Sequence, residues 1–403
     1  MFQLGIDRLI NDSNTLESLN GLRWGFIGHP ASVTSDIRHS LDVLIEKKQL
    51  QVTTAFGPQH GMKGEKQYNM IETPDERNSK WGIPIWSLYG ETRTPTKEMI
   101  QNIDGFLVDL QDVGCRIYTY ITTLLECMKV ASDNGKRVVV CDRPNPAGRP
   151  VEGRFLDRNF ESFVGCAPIP IRHGLTIGEL ALYFKKQFQL SCDLTVIPMT
   201  EYDPNTGPGF GWPQALTWVN PSPNAASLNM ARCFAGTVMI EGTTLSEGRG
   251  TTVPLEVIGA PNIDGEIIVK KMLENANWTS GCRVRTTYFQ PSFYKHVDSI
   301  CSGLQIHATG SNYKHLDFRP FRLVALFLKT LREVYPDYEL WRNFQYEYVS
   351  DKLAIDVITA GTWLREWVDN RSSSPSDLEP LLVKDETEWL SQRKEFLLYP
   401  DQD

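Results

Sequence analysis

The chain has 403 residues, of which 41% are hydrophobic and 22% charged, and its formal net charge is −8. This length exceeds what one small hydrophobic core fills, so we expect two domains. The acidic balance argues against nucleic acid as a partner, because phosphate binding needs a basic surface. No apolar run approaches the ~20 residues that span a bilayer, so we expect no membrane insertion.

The N-terminal residues and the cysteines predict a cytoplasmic protein. The first 14 residues lack the basic, apolar and small-residue regions of a signal peptide. The eight cysteines are scattered, with no CxxC pair and no Cys/His cluster. That usage is typical of reduced thiols rather than of disulfides or zinc ligands, so we expect no bound metal.

The first half of the chain alternates strand-like and helix-like segments. Strands are predicted at 23–27, 52–56, 104–110, 137–142 and 194–198. Helices are predicted at 36–48, 96–101, 118–134 and 176–188. The last helix begins with a capping box, in which Thr176 is the N-cap and Glu179 follows three residues later. Strands separated by helices predict a doubly wound α/β domain with a parallel sheet.

The pattern changes after a stretch rich in Pro, Gly and Trp at 203–224, which predicts a long structured loop. Beyond it, strands are predicted at 236–243, 284–289 and 303–308, and helices at 318–334 and over much of 350–396. This mixture predicts a smaller α+β domain. We therefore expect a catalytic domain at 1–228 and a supporting domain at 229–403.

Polar residues, glycines and prolines follow four of the predicted strands, at 28–32, 57–67, 109–120 and 142–153. The carboxyl ends of parallel strands meet at one edge of the sheet, where ligands bind. We therefore expect Asp109 and Asp112 to lie at the lip of a cleft, and Asp112 to pair with Arg116 four residues later. In the alternative, each segment only braces a turn or a helix, but four such segments at one edge favour a site.

The residue types in this cleft indicate hydrolysis of a polar small molecule without a cofactor. Neither the P-loop pattern nor the GxGxxG dinucleotide fingerprint is present at the expected place. A pair of carboxylates suits glycoside hydrolysis, in which one acid protonates the leaving oxygen and the other acts as base or nucleophile. A metal-dependent hydrolase that uses Asp109, Asp112 and His60 remains an alternative.

Several long motifs resemble those of the NamZ family, exo-acting β-N-acetylmuramidases of bacterial peptidoglycan recycling. They are GPQHGMKGEKQYNMIE (57–72), IPIWSLYGETRTPTKEM (83–99), DGFLVDLQDVGCRIYTYITT (104–123), DRPNPAGRPVEGRFLD (142–157), IPIRHGLTIGELALYF (169–184), NPSPN (220–224) and IEGTTLSEGRGTTVPLEVIGAP (240–261). The resemblance implies an enzyme that releases N-acetylmuramic acid from the non-reducing end of peptidoglycan fragments. It also implies a Rossmann-like N-terminal domain that carries the site and a smaller C-terminal domain that forms a wall of the cleft. Many relatives carry Glu at the position of Gln59, and many are exported.

The resembling motifs also provide the expected site residues. We expect Glu65 and Glu152 to be the catalytic pair, with Asp109 and His60 as the residues that would replace them. Arg116, Arg143 or Arg249 would face the lactyl carboxylate of the substrate. The expected substrate-binding residues are Gln59, Asp112, Arg116, Tyr118, Asp142, Arg143, Asn145, His173, Asn224, Glu241 and Arg249. Because Gln59 cannot transfer a proton as Glu does, a non-catalytic sugar-binding or regulatory protein remains a second alternative.

Overall fold

A seven-stranded sheet forms the first half of the molecule, in a computed structural model that describes residues 2–47, 50–68 and 70–401. Its strands are β1 (Arg23–Ile27), β2 (Gln51–Gly57), β3 (Glu76–Arg77), β4 (Pro84–Ser87), β5 (Gly105–Val108), β6 (Arg137–Cys141) and β7 (Asp193–Ile197). Their spatial order is β3-β4-β2-β1-β5-β6-β7, and β3 pairs antiparallel to β4 while the other neighbours are parallel. The chain builds outward from β1 on one side and then on the other, which confirms the doubly wound class.

Four of the six described helices in this half lie where the sequence predicted them, and the first two were not predicted. They are α1 (Gly5–Asn11), α2 (Ser13–Leu19), α3 (Ser40–Glu46), α4 (Lys97–Ile100), α5 (Tyr120–Asp133) and α6 (Ile177–Gln187). The predicted capping box at α6 is confirmed, since the Thr176 amide donates to Glu179 Oε2 at 2.9 Å and the Glu179 amide to Thr176 Oγ1 at 3.3 Å. The predicted end of a helix at residue 48 lies outside the described residues.

The central strands are buried on both faces, which explains why they consist almost entirely of apolar residues. In β5, Phe106 and Val108 pack into one hydrophobic core, whereas Leu107 packs into a second core on the opposite face. In β6, Val138 packs into the first core and Val139 into the second. Alternate side chains of a strand point to opposite faces, so a sheet covered by helices on both sides requires this continuous apolar run.

The second half contains a small antiparallel sheet surrounded by helices, as predicted for an α+β domain. Its elements are α7 (Leu228–Thr237), β8 (Val257–Ala260), α8 (Gly265–Met272), α9 (Ala276–Thr279), β9 (Arg283–Phe289), β10 (Cys301–His307), α10 (Pro320–Val334), α11 (Ala354–Thr359), α12 (Trp363–Asp369) and α13 (Pro375–Arg393). The strands lie in the order β8-β10-β9. The predicted boundary between 228 and 229 falls at the first turn of α7, and the division remains a prediction.

The strand predicted at 236–243 is wrong. This segment forms the end of α7 and a 3-10 helix at Val238–Gly242. A short, fully buried apolar run has no distinct helical or strand period, so the sequence pattern alone cannot separate the two structures. Tight packing favours the helix here, because a side chain at Gly236 would lie 2.0 Å from the Pro320 carbonyl oxygen of α10.

The C-terminal segment returns to the first half and covers the edge of its sheet. Trp389 Nε1 donates to the His173 carbonyl oxygen at 2.8 Å, and the Tyr399 hydroxyl donates to Asp142 Oδ2 at 2.6 Å. This contact closes the carboxyl end of β6 to solvent. Within the described ranges, no helix is long and apolar enough to cross a bilayer.

Candidate active site

A cavity lies between the two halves of the molecule, at the carboxyl ends of β2 and β5. It encloses about 470 Å³ of space that protein atoms do not fill, open solvent at its mouth included. Polar side chains from both halves meet in its wall: Gln59, His60, Thr119, Asn224, Glu241, Arg249 and Glu347.

Glu347 enters the cavity on a tight turn. The Tyr346 and Val349 amides each donate to the other residue's carbonyl oxygen, at 3.0 and 2.9 Å, and Glu347 and Tyr348 between them have φ values of 45° and 71°. These left-handed angles at both central positions are typical of a type I′ turn, which favours Asn and Gly. The Glu347 side chain is buried, and the residue is 3% exposed.

Two donors hold the Glu347 carboxyl group. Gln59 Nε2 donates to Oε1 at 3.1 Å, and the Tyr89 hydroxyl donates to Oε2 at 2.8 Å. Burial raises the pKa of Glu347 to about 7, although both hydrogen bonds favour the charged form and act in the opposite direction. This carboxyl group therefore exchanges its proton near neutral pH.

The loop after β2 presents Gln59 and His60. The Gly61 amide donates to the Pro58 carbonyl oxygen at 2.9 Å, which closes a β-turn with His60 at its third position and a φ of 72°. His60 Nδ1 lies 2.7 Å from the Lys66 carbonyl oxygen, so Nδ1 carries the proton. Burial lowers the pKa of His60 to about 4, which keeps the ring neutral at pH 7.

A second cavity carboxylate, Glu241, belongs to a network of buried charges. Arg249 donates from Nη2 to Glu241 Oε1 at 2.6 Å and from Nε to Glu247 Oε1 at 2.7 Å. Lys295 Nζ lies 2.8 Å from Glu247 Oε2, and the Tyr346 hydroxyl donates to Glu241 Oε2 at 2.8 Å. Burial alone would raise the pKa of Glu247, but Lys295 and Arg249 outweigh it and lower the pKa to about 2. Glu241 is thus a carboxylate that is already paired with a cation.

The structure places six of the residues expected from the sequence in this cavity wall: Gln59, His60, Tyr118, Asn224, Glu241 and Arg249. Asn224 Nδ2 also donates to the Gln67 carbonyl oxygen at 3.0 Å, which ties the loop after β2 to the segment that precedes α7. The individual roles of these residues remain predictions.

Asp109 does not lie at the lip of the cleft as expected, because it is fully buried. Arg143 donates to its two oxygens at 2.6 and 2.9 Å, and the Ser40 hydroxyl donates to Oδ2 at 2.5 Å. The loop predicted at 203–224 covers this edge, where Trp212 and Leu216 lie with Arg143 around a separate small cavity. Arg143 is therefore the partner of a protein carboxylate and does not face the main cavity.

The predicted pair of Asp112 and Arg116 does not form. Arg116 is 1% exposed and donates to the carbonyl oxygens of Arg154, Ile169 and Ile358 at 2.7–3.1 Å. Asp112 Oδ2 instead accepts from the Gly114 amide at 2.7 Å and lies 3.3 Å from His173 Nε2. The loop turns at Gly114, whose φ is 80°, so the two side chains diverge rather than share a helix face.

Glu152, one of the expected catalytic pair, lies away from the cavity. It is fully buried, and its oxygens accept from the Phe321 and Arg322 amides at 3.0 and 2.8 Å, at the N-terminus of α10. Those amides have no partner within the helix, and a carboxylate also interacts favourably with the helix dipole. Glu65, the other member, is exposed and lines a separate cavity beside β4. The structure does not bring the two together.

Asp142, Asn145 and His173 also support the fold outside the cavity. Asp142 accepts from the Thr176 hydroxyl and the Gly178 amide, both at 2.8 Å, at the start of α6. Asn145 Oδ1 accepts from the Ala147 amide at 2.9 Å, which builds a turn. The His173 ring accepts from the Leu175 amide at 3.2 Å and is fully buried.

The residues of the metal alternative do not form a ligand set. In the part of the chain that the structure describes, no group of three His, Cys, Asp or Glu side chains is arranged to hold a metal ion. His60 faces the cavity, whereas Asp109 is held by Arg143 and Asp112 by the turn at Gly114.

The sequence reasoning missed Glu347, its hydrogen-bond donor Tyr89, and Tyr346, which donates to Glu241. The stretch 340–350 carries no recognised motif and reads as a plain loop. Glu347 reaches the cavity through contacts with residues more than 250 positions away, Gln59 and Tyr89. One signal was available, since an acid between two tyrosines is unusual for a solvated loop.

Both halves of the chain match profiles of one protein family. The profile described as exo-β-N-acetylmuramidase NamZ, N-terminal, matches residues 24–229, and the corresponding C-terminal profile matches residues 232–399. The peptidoglycan β-N-acetylmuramidase NamZ of Bacillus subtilis strain 168 is 36% identical over 398 residues, which are 98% of this chain and 91% of that protein.

Two solved structures share the fold. A DUF1343 family protein of Bacteroides fragilis superposes with a TM-score of 0.86 at 27% identity, with 99% of each chain covered. A second DUF1343 family protein of the same organism superposes with a TM-score of 0.73 at 25% identity, with 100% of each chain covered. The fold of the whole chain therefore recurs in these two structures.

Proposed function

The chain belongs to the NamZ family of β-N-acetylmuramidases and is a glycoside hydrolase, and we propose that it releases N-acetylmuramic acid from the non-reducing end of peptidoglycan fragments. One observation carries the proposal. Two carboxyl groups with different environments, Glu347 and Glu241, share one cavity. Glycoside hydrolysis uses such a pair, one as acid and one as base or nucleophile.

The shape of the cavity supports removal of a terminal sugar. Residues of both halves close around it, and its wall includes buried apolar side chains such as Val164, Met230 and Phe234. Removal of a terminal sugar needs a pocket closed on one side, whereas cleavage within a glycan chain needs a groove open at both ends. Apolar walls also exclude water and strengthen the electrostatic interactions inside.

Arg93 is the cation that we propose for the lactyl carboxylate. The three arginines expected from the sequence are already engaged, by carbonyl oxygens at Arg116 and by protein carboxylates at Arg143 and Arg249. Arg93 instead stacks on the Tyr348 ring, with its Cζ 3.8 Å from the ring centroid, and lowers the pKa of neighbouring Glu347. A guanidinium in this position can bind a carboxylate with two parallel hydrogen bonds.

The finer features expected from the sequence belong to this proposal as well. They are the cytoplasmic location, the role in peptidoglycan recycling and the division at residues 228 and 229. The enzymatic test below is independent of all three.

A panel of chromogenic glycosides tests the proposal. We expect release of the aryl group from β-N-acetylmuramide, with much slower release from the β-N-acetylglucosaminide and the β-glucoside. Gln59, at a position where many relatives have Glu, favours one competing function, a sugar-binding protein without turnover. Calorimetric binding of N-acetylmuramic acid together with no release from any glycoside would establish that alternative.

A further inference from the structure

We propose that Glu347 is the general acid of this reaction and that Gln59 is the positioning residue that orients it. The inference rests on the proposed function and adds to it the assignment of two residues.

The backbone at Glu347 and at His60, the residue after Gln59, supports a functional role. Glu347 has a φ of 45° and His60 a φ of 72°, and both residues line the cavity. Non-glycine residues in this region are strained, and such strain persists where the surrounding structure enforces it. Here the enforced turns direct a carboxyl group and an amide toward each other in the same cavity.

The hydrogen bonds fix the carboxyl group and leave room for its proton. Gln59 Oε1 accepts from the Thr119 hydroxyl at 2.8 Å, so its Nε2 is the atom that faces Glu347. Glu347 then receives one donor on each oxygen, from Gln59 and from Tyr89. A carboxyl group accepts about four hydrogen bonds in all, so a proton on either oxygen still fits.

The charged and titratable groups that face Glu347 come from several elements. Arg93 and Tyr89 follow β4, Glu241 lies on the 3-10 helix after α7, and Tyr346 and Tyr348 flank Glu347 in its own turn. Burial is the main reason that the pKa of Glu347 is raised to about 7; Glu241 raises it further, while Tyr89, Gln59 and Arg93 lower it. An acid with a pKa near the working pH is the most effective proton donor.

Glu241 is less suited to donate a proton. Arg249 donates to one of its oxygens and the Tyr346 hydroxyl to the other, and Arg249 forms an ion pair with it. In the reaction, the bond between C1 and the glycosidic oxygen breaks, and the oxygen keeps the electron pair and takes the Glu347 proton. The oxygen of a water molecule forms the new bond to C1. The proton that this water loses passes to the Glu241 carboxylate, and solvent exchange returns both groups to their starting forms.

Glu347→Gln tested on two substrates separates an acid from a structural residue. An aryl muramide has a leaving group that departs without a proton, whereas a muramyl disaccharide needs one. We expect turnover of the disaccharide to fall ~10²-fold or more and turnover of the aryl muramide to fall far less, with the alkaline limb of the pH profile lost. Equal losses on both substrates, or an unchanged alkaline limb, would overturn the assignment.

Gln59→Met tests the positioning role, because methionine keeps the length of the side chain without the amide. Losing the donor to the charged form of Glu347 should move the alkaline limb of kcat/KM to higher pH, while a purely structural role would lower the rate equally at all pH values.

The wild-type protein is measured first in both experiments. If it hydrolyses neither muramide, the proposed function fails and this inference fails with it; if it does and Glu347→Gln behaves like wild type, the inference alone fails.

Discussion

Gln59 Nε2 lies 3.1 Å from Glu347 Oε1, and this hydrogen bond joins residues 288 positions apart in the chain. Gln59 belongs to the loop after β2, and Glu347 belongs to a turn between α10 and α11. The contact therefore forms only when the two halves have folded against each other. The pKa of Glu347 therefore depends on the contact between the two halves, because the Gln59 hydrogen bond lowers it.

Gln59→Glu would place a second carboxyl group beside Glu347. Two adjacent carboxyl groups cannot both ionise without repulsion, so one pKa of the pair rises. We expect the alkaline limb of the kcat/KM profile to move upward by about one pH unit or more. Rate measurements from pH 5 to pH 10 check this, and an alkaline limb at the wild-type position would mean that residue 59 does not influence the acid.

Glu347→Gln should change how stability depends on pH. The pKa of Glu347 is raised to about 7 in the folded protein and is near 4.5 when unfolded, so its contribution is fully present below pH 4.5 and is lost as pH rises through 7. Relative to wild type, the variant should gain up to about 3 kcal/mol in free energy of unfolding across that window. Urea denaturation at several pH values measures the difference. The exposed control Glu91→Gln should show no such trend.

Arg93→Gln should weaken recognition of the lactyl carboxylate. Losing a charged hydrogen bond costs about 1.5–3 kcal/mol, which corresponds to roughly 10–150-fold in affinity. We expect that loss for binding of N-acetylmuramic acid and little change for N-acetylglucosamine, which lacks the lactyl group. Calorimetry on the variant and on the exposed control Arg371→Gln provides the comparison. Equal losses for both sugars would remove the proposed role of Arg93.

Glu152→Gln should lower the free energy of unfolding rather than abolish turnover. An amide cannot accept from both the Phe321 and Arg322 amides as the carboxylate does, and an unsatisfied buried donor costs roughly 1–3 kcal/mol. We expect a lower free energy of unfolding, and turnover of the folded protein reduced by less than the hundredfold typical of a lost acid. Thermal unfolding and rate measurements on the same sample test this. A hundredfold loss at unchanged stability would return Glu152 to the catalytic pair.

Chelation should leave hydrolysis unaffected. The carboxylates of the cavity are bonded to protein donors, and Glu241 is already neutralised by Arg249. A rate measured after dialysis against a strong chelator should equal the untreated rate. A loss that is restored by added divalent cation would revive the metal-dependent alternative.

Local sequence patterns were sufficient for most of the fold. The apolar runs of β5 and β6 and the capping box of Thr176 and Glu179 are short-range signals, and each was recognised at the right place. The segment Val238–Gly242 was mistaken for a strand because its apolar run is equally compatible with a buried helix. Helices α1 and α2 and strands β3, β4 and β8 were not predicted, and each has only two to seven residues.

The site was only partly predictable, because burial at the sheet edge depends on tertiary structure. Gln59, His60 and Tyr118 could be found because they follow β2 and β5 directly. Asp109 follows β5 as well, yet distant segments of the chain cover it and Arg143 neutralises it. Glu347 depends on a contact across 288 residues that no local pattern encodes.

The order of sugars in a disaccharide tests the central claim most directly. The wild-type protein is incubated with N-acetylmuramyl-N-acetylglucosamine and, separately, with N-acetylglucosaminyl-N-acetylmuramic acid, and the products are identified by mass spectrometry. The proposed terminal muramidase splits the first disaccharide, releases free N-acetylmuramic acid and leaves the second intact. Cleavage of the second disaccharide, or of neither, would contradict it.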